Sequence, residues 1–239
     1  MRIHFLQHVP FEGLGSLAEW IDRGGHQIGG TRLYAGDGLP RPDAVELLIV
    51  LGGPMGVHDE ADYPWLRVEK DFIRRVVEAG GGVLGICLGA QLLAEVLGAR
   101  ITRNPAREIG WFPVTRDPAL AGHWLAERLP ERFPAFHWHG ETFSLPEGAL
   151  PVGSTAACAC QGFVHGDRLL GFQFHLETTP ASAHALVEHC ANELDGSEWV
   201  QGPAQLLAED APFGEINALM TQVMEGLAGQ LQTSASPGE

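Results

Sequence analysis

The sequence predicts a single α/β domain: a mixed, mostly parallel central sheet with helices on both faces. Three observations lead there. In the first half, short apolar runs alternate with longer amphipathic stretches, and glycine or proline punctuates each change of period. The run 45–51, VELLIVL, is apolar almost throughout, as a strand buried on both faces must be. Beyond Gly110 the pattern changes to short strand-like runs separated by Pro and Gly rather than by long helices, which fits antiparallel strands added to a parallel sheet.

The elements follow in order. Residues 2–7 form the first strand. Residues 14–23 are amphipathic and stop at Gly24-Gly25, and residues 27–33 return as a strand. The buried strand 45–51 ends in Gly52-Gly53-Pro54. Tyr63-Pro64-Trp65 opens a helix to residue 79, with proline where its missing N–H costs nothing. Gly80-Gly81-Gly82 turns the chain into strand 83–86, and a helix starts at Leu88. Strand-like runs follow at 111–116, 135–139, 158–165 and 168–174, then helices over 181–194 and 214–230. No repeat or linker divides the chain. One domain is expected over residues 1–232, with 203–232 as a C-terminal helical extension and 233–239 as a flexible tail.

Composition removes several function classes. The 239 residues include 30 acidic and 15 basic side chains, a formal net charge of −15, and 45% are hydrophobic against 19% charged, which is globular. The acidic surplus and the absence of any Arg/Lys cluster argue against nucleic acid or an anionic membrane as partner. Lys70 is the sole lysine and sits in a charged helical stretch, which excludes a P-loop and a Schiff-base site. The opening MRIHFLQH lacks the apolar run of a signal peptide, and the most apolar region, 83–99, carries Gln91, Glu95 and several glycines, so it does not span a bilayer. A cytoplasmic protein is expected. Cys87, Cys158, Cys160 and Cys190 are then free thiols; Cys158 and Cys160 alternate on a strand face and, without a second pair at ligand spacing, read with Cys190 as buried small side chains.

The segment VLGICLGAQ, residues 83–91, carries the chemistry. Cys87 lies where a buried strand meets a helix, between Gly85 and Gly89, and glycines on either side of a nucleophile permit a sharp strand-to-helix turn. The helix from Leu88 aims its N–H groups and positive dipole end at Cys87, favouring a thiolate and a developing oxyanion. Taken alone, such a segment is equally a core cysteine in a glycine-rich turn. In GFQFHLE, residues 171–177, His175 and Glu177 are two apart and point to one side of extended backbone, so the carboxylate can orient the imidazole. By itself that pair reads more readily as a solvated strand end than as a catalytic pair.

Together, GICLGAQ and GFQFHLE resemble the motifs G-x-C-x-G-x-Q and F-H-x-E of the class I, triad-type glutamine amidotransferases. The loop LGGPMG, residues 51–56, is similar to the one that completes the family's oxyanion hole, and HWHGETF, residues 137–143, to the stretch that binds the amino-acid end of glutamine. The resemblance covers roughly residues 1–195 and is nearest to stand-alone members related to the amidotransferase domain of GMP synthase. Many relatives have proline where Leu176 stands, a position that points away from the triad. The family implies a flavodoxin-like sheet with the site outside the carboxyl ends of its parallel strands. It implies Cys87, His175 and Glu177 as the triad, Gly53 and Leu88 as oxyanion-hole donors, and Gly52, Gln91, Gly140 and Glu141 as substrate-binding positions. It implies glutamine or a γ-glutamyl compound as substrate, a synthetase partner that receives ammonia, and no cofactor.

Two other functions compete: a γ-glutamyl peptidase or hydrolase using the same triad, and a non-catalytic regulatory or binding subunit. His137 and His139 alternate and would share a face, but a metal site needs three or four ligands and no carboxylate or cysteine is placed to complete one, so none is expected; His139 is expected to shape the substrate loop. Trp138 and Trp111 are expected to wall the pocket. His4, His8, His58, His165, His184 and His189 read as structural or solvated.

Overall fold

The computed structural model describes residues 1–233. In chain order these are β1 (Arg2–Gln7), α1 (Leu17–Arg23), β2 (Gln27–Arg32), β3 (Leu47–Val50), α2 (Trp65–Glu78), β4 (Gly82–Ile86), α3 (Leu88–Val96), β5 (Ile101–Arg116), β6 (Arg132–Phe143), β7 (Leu150–Ser154), β8 (Gly162–His165), β9 (Leu169–Phe172), α4 (Pro180–His189), α5 (Pro203–Leu206) and α6 (Phe213–Thr233), with short 3₁₀ turns between some of them. The nine strands form one sheet in the order β2-β1-β3-β4-β9-β8-β7-β5-β6. The pairings from β2 to β9 are parallel, and those from β9 to β6 antiparallel. The mixed sheet predicted is there, and its antiparallel half is as large as its parallel half.

Side-chain alternation along the buried strands feeds two apolar cores, as a sheet covered on both faces requires. In β3, Leu47 and Ile49 join one core, and Leu48 and Val50 the other. The first core is closed by α1, α4 and α6, through residues such as Trp20, Leu186 and Met224; the second by α2 and α3, through Phe72, Ile73 and Leu92. The C-terminal α6 also reaches the edge where the site lies, since Asn217 Nδ2 donates to the carbonyls of Leu176 and Thr178, both at 2.9 Å.

Some boundaries differ from expectation for identifiable reasons. The strand expected over 111–116 begins at Ile101, because β5 stays paired with β6 across a register shift between Arg103 and Glu108 that the polar run there conceals. Cys158 and Cys160 lie in a bend between β7 and β8, not on a strand; Cys158 is buried and Cys160 only partly so. The helix expected over 181–194 ends at His189 and continues as a 3₁₀ turn. Thr233, assigned to the tail, closes α6, and the rest of the tail lies outside the described residues.

Candidate active site

Loops after β1, β3, β4 and β9 meet at one edge of the parallel half, the place where open α/β sheets bind ligands. Cys87 links β4 to α3 with φ 52° and ψ −109°, and it is the one described non-glycine residue with positive φ. A conformation of this kind costs about 1–3 kcal/mol and persists only where its surroundings over-determine it. They do so here. The Cys87 N–H donates to the Phe172 carbonyl at 2.8 Å. A Cβ on Gly85 would lie 2.4 Å from the Gly89 carbonyl oxygen, and one on Gly89 would lie 2.0 Å from that of Val50. Both glycines are therefore required by close backbone approach, and α3 presents its first N–H groups, which have no intrahelical acceptor, to the thiol.

β9 ends at Phe172, and the chain runs on extended. His175 is held against β6 by a reciprocal pair with Phe136: its N–H donates at 2.8 Å and its carbonyl accepts at 3.2 Å. His175 Nδ1 donates to Glu177 Oε1 at 2.6 Å, and both side chains are buried. Nε2 is buried and makes no other hydrogen bond, leaving it the ring atom that can exchange a proton with Cys87. Burial opposes charge on this ring, but the Glu177 carboxylate and Cys87 outweigh it and raise the His175 pKa well above 6.5. The thiol also donates to the Trp138 carbonyl at 3.6 Å and accepts from Gln173 Nε2 at 3.7 Å; Gln173 in turn accepts from Gln91 Nε2 at 3.1 Å.

A cleft of about 780 Å³ opens over Cys87. Of the residues predicted from the sequence, it brings together Cys87, His175, Gly53, Leu88, Gln91, Gly140 and Glu141. Glu177 and Gly52 border a narrow recess behind His175 instead. Trp138 walls the cleft as expected, with its buried indole N–H unpaired. Trp111 does not; its N–H donates to the Leu206 carbonyl at 3.1 Å and its ring packs on Phe136 and Phe213, while Trp199 takes a place in the cleft wall. His139, expected to shape a loop, lies within β6, where its Nδ1 donates to the Glu141 carbonyl at 3.1 Å.

Several residues here were invisible to motif reading. His8, read as structural or solvated, is fully buried under the loop after β3: Nδ1 donates to the Gly52 carbonyl at 2.9 Å and Nε2 to Glu69 Oε1 at 2.8 Å. Burial opposes charge on this ring, but the Glu69 carboxylate outweighs it and raises the His8 pKa. Glu12 lies over Gly52 and borders the cleft; burial, reinforced by Glu177 and Glu193, pushes its pKa up to about 7. The one signal available for His8 and Glu12 was position, since both follow the carboxyl end of a predicted strand. The structure also corrects the view that nothing completes the His137–His139 pair: Glu108, opposite His139 on β5, faces both rings. Burial holds the His137 pKa down at about 4.

The chain is similar to known proteins. Residues 38–193 match the family profile described as glutamine amidotransferase class-I. The glutamine amidotransferase-like protein YfeJ of Salmonella typhimurium is 34% identical over 215 residues, 87% of this chain and 90% of that protein. A glutamine-hydrolyzing GMP synthase of Thermomicrobium roseum is 39% identical over 131 residues, 54% of this chain but 23% of the synthase. Among solved structures, a glutamine amidotransferase from Thermotoga maritima superposes with a TM-score of 0.85 at 30% identity, over 95% of this chain and 97% of that one. One from Methylobacillus flagellatus gives 0.88 at 29% identity, over 100% and 97%. The chain therefore belongs to the class I glutamine amidotransferase family of enzymes.

Proposed function

We propose that this chain hydrolyses the side-chain amide of glutamine through a thioester on Cys87 and releases ammonia to an acceptor handled by a partner. The observation that carries the proposal is the strained Cys87 at the start of α3 with His175 beside it, oriented through a 2.6 Å hydrogen bond to Glu177. In this mechanism the sulfur attacks the carboxamide carbon, and the carbonyl oxygen becomes an oxyanion held by the N–H groups of Gly53 and Leu88. The C–N bond then breaks as His175 gives its proton to the leaving nitrogen, releasing ammonia. His175 next takes a proton from water, hydroxide adds to the thioester, and glutamate leaves as the thiolate reforms. Glu177 keeps the ring in register and supports its charge. Gln91, Gly140 and Glu141 border the cleft where the amino-acid end of glutamine would lie, and Gly52 is held through its carbonyl by His8.

The relatives named GMP synthase are described as glutamine-hydrolyzing, which supports a synthetase-type partner here. A partner-gated enzyme would use the Gly52–Gly56 loop to swing the Gly53 N–H, with the partner favouring the competent arrangement. One observation favours a second reading. A cleft of about 780 Å³ is in the range that encloses drug-sized ligands, larger than one amino acid. A γ-glutamyl peptide or amine as substrate would use that space. Cytoplasmic placement belongs to the same proposal; among the described residues no helix is long and apolar enough to cross a membrane.

The deciding experiment measures ammonia release from glutamine and amine release from γ-glutamyl peptides, with the chain alone and with proteins that co-purify with it. Slow glutamine hydrolysis that rises with a partner supports the proposal. Fast cleavage of γ-glutamyl peptides by the chain alone transfers it to the second reading. Turnover of neither, together with no labelling of Cys87 by a glutamine-like electrophile, would establish a non-catalytic subunit.

A further inference from the structure

The β5–β6 ladder places three side chains able to bind a metal around one point. Glu108 pairs directly with His139 across the ladder, just past the register shift, and His137 lies two residues back on the same face of β6. All three are buried. Glu108 Oε2 is 3.1 Å from His139 Nε2 and 3.6 Å from His137 Nδ1, and the three donor atoms lie within 4.8 Å of one another.

The outward hydrogen bonds decide which ring atoms face inward. His137 Nε2 donates to the Phe112 carbonyl at 2.9 Å, and His139 Nδ1 donates to the Glu141 carbonyl at 3.1 Å. A carbonyl only accepts, so each ring spends its N–H outward, and in a neutral ring the other nitrogen turns a lone pair toward the carboxylate. Histidines that ligate metals are oriented in this way, by donation of the second ring N–H to a backbone carbonyl. Three lone-pair donors then converge with nothing between them. One added proton on His139 would satisfy the His139–Glu108 contact but not His137 Nδ1, which is buried and without a hydrogen-bond partner, as are Glu108 Oε1 and Gln161 Oε1 beside it. A cation at the centre satisfies the convergent atoms together. The spacing suits one: ligands about 2.0–2.1 Å from a tetrahedral ion sit about 3.3 Å from each other, between the two separations found here.

We propose that Glu108, His137 and His139 bind one divalent transition-metal ion of the zinc class. Two imidazoles and one carboxylate are a borderline donor set that suits zinc and its neighbours better than calcium or magnesium. Gln161, whose amide nitrogen lies 2.6 Å from Glu108 Oε2, is placed to offer its oxygen as a fourth ligand with the amide turned over; a water is the alternative. His139 borders the cleft, which gives the ion its way in. Bound there, the ion would pin the bulged part of β5 to the strand that carries Gly140 and Glu141. This site is independent of the catalytic reading.

The test uses the full chain carrying Cys87→Ala, so that the cleft thiol supplies no ligand, stripped with a chelator and titrated with cobalt(II) and then zinc chloride. One equivalent is expected, with micromolar or tighter affinity, visible d–d absorption of tetrahedral intensity that zinc abolishes, and a melting temperature raised by zinc. Glu108→Gln, nearly isosteric and able to keep the Gln161 contact, should weaken binding at least a hundredfold while far-UV circular dichroism stays unchanged; His137→Gln/His139→Gln should remove it. Absence of a stoichiometric site in the folded Cys87→Ala chain overturns the proposal. So does affinity unchanged by Glu108→Gln. Either result leaves a buried hydrogen-bonded triad and no metal site.

Discussion

His8→Ala tests how the loop after β3 is held. The wild-type ring is enclosed on all sides and bridges two acceptors, the Gly52 carbonyl at 2.9 Å and Glu69 Oε1 at 2.8 Å, with both side chains of the pair fully buried. Removing the ring leaves the Glu69 carboxylate buried without its counter-charge and the Gly52 carbonyl without its donor. Breaking a buried pair from one side costs about 3–5 kcal/mol. At about 2–4 °C per kcal/mol for a chain of this size, the melting temperature should fall by roughly 6–20 °C. The double variant His8→Leu/Glu69→Leu replaces the pair with apolar groups and should recover most of that loss. It should not recover ammonia release, because the Gly52 carbonyl stays unheld and the Gly53 N–H shifts with it. The pH dependence has a definite sign. The folded-state pKa of His8 is raised, so its contribution is complete below the ordinary 6.5 and is lost as pH rises through the folded value. The stability gap between wild type and His8→Ala, read from urea melts, should therefore narrow in alkaline buffer. A loss under about 1 kcal/mol in His8→Ala, the scale of an exposed ion pair, or a gap that widens with pH, would refute this reasoning.

His175→Ala should be as damaging to turnover as loss of the nucleophile, and Glu177→Gln less so, because a neutral amide still orients the ring; the reverse order in kcat/KM would reassign the base. Gly89→Ala puts a methyl 2.0 Å from the Val50 carbonyl oxygen, so α3 must lift from β3 at a cost of about 1–3 kcal/mol, with ammonia release falling more than tenfold. Gly229→Ala in α6, where an added Cβ meets nothing within 4 Å, should instead stabilise by about 0.5–1 kcal/mol in the same melts. Glu12, with its pKa near 7, should give the wild-type pH profile of kcat/KM an ionisation near neutrality that Glu12→Gln removes, and losing its negative charge should also lower the pH at which His175 deprotonates; superimposable profiles would detach Glu12 from the site.

What could be read from the sequence was local. The turn at Cys87 depends on Gly85 and Gly89, two residues to either side, and the His175–Glu177 contact depends on strand alternation over two positions, so the motif spacing already contained the geometry. The rest is made by pairings across long stretches of chain. Glu69 reaches His8 from α2, and Glu108 reaches His137 and His139 only because β5 continues through a bulge that polar residues disguise. Gln173 lay inside a motif, but its bond to Cys87 requires β9 to lie next to β4. Trp111 and Trp199 are alike as residues, and only the docking of the segment after α4 decides which of them faces the cleft.

Acid-quenching the chain during turnover with glutamine, then mapping peptides by mass spectrometry, tests the proposed chemistry most directly. A glutamyl adduct should appear on the peptide containing Cys87 and on none containing Cys158, Cys160 or Cys190, and Cys87→Ser should fold normally yet lose turnover, since a hydroxyl beside this imidazole is a far weaker nucleophile than a thiolate. Ammonia release within tenfold of wild type by Cys87→Ser, or an adduct on another cysteine, would contradict it.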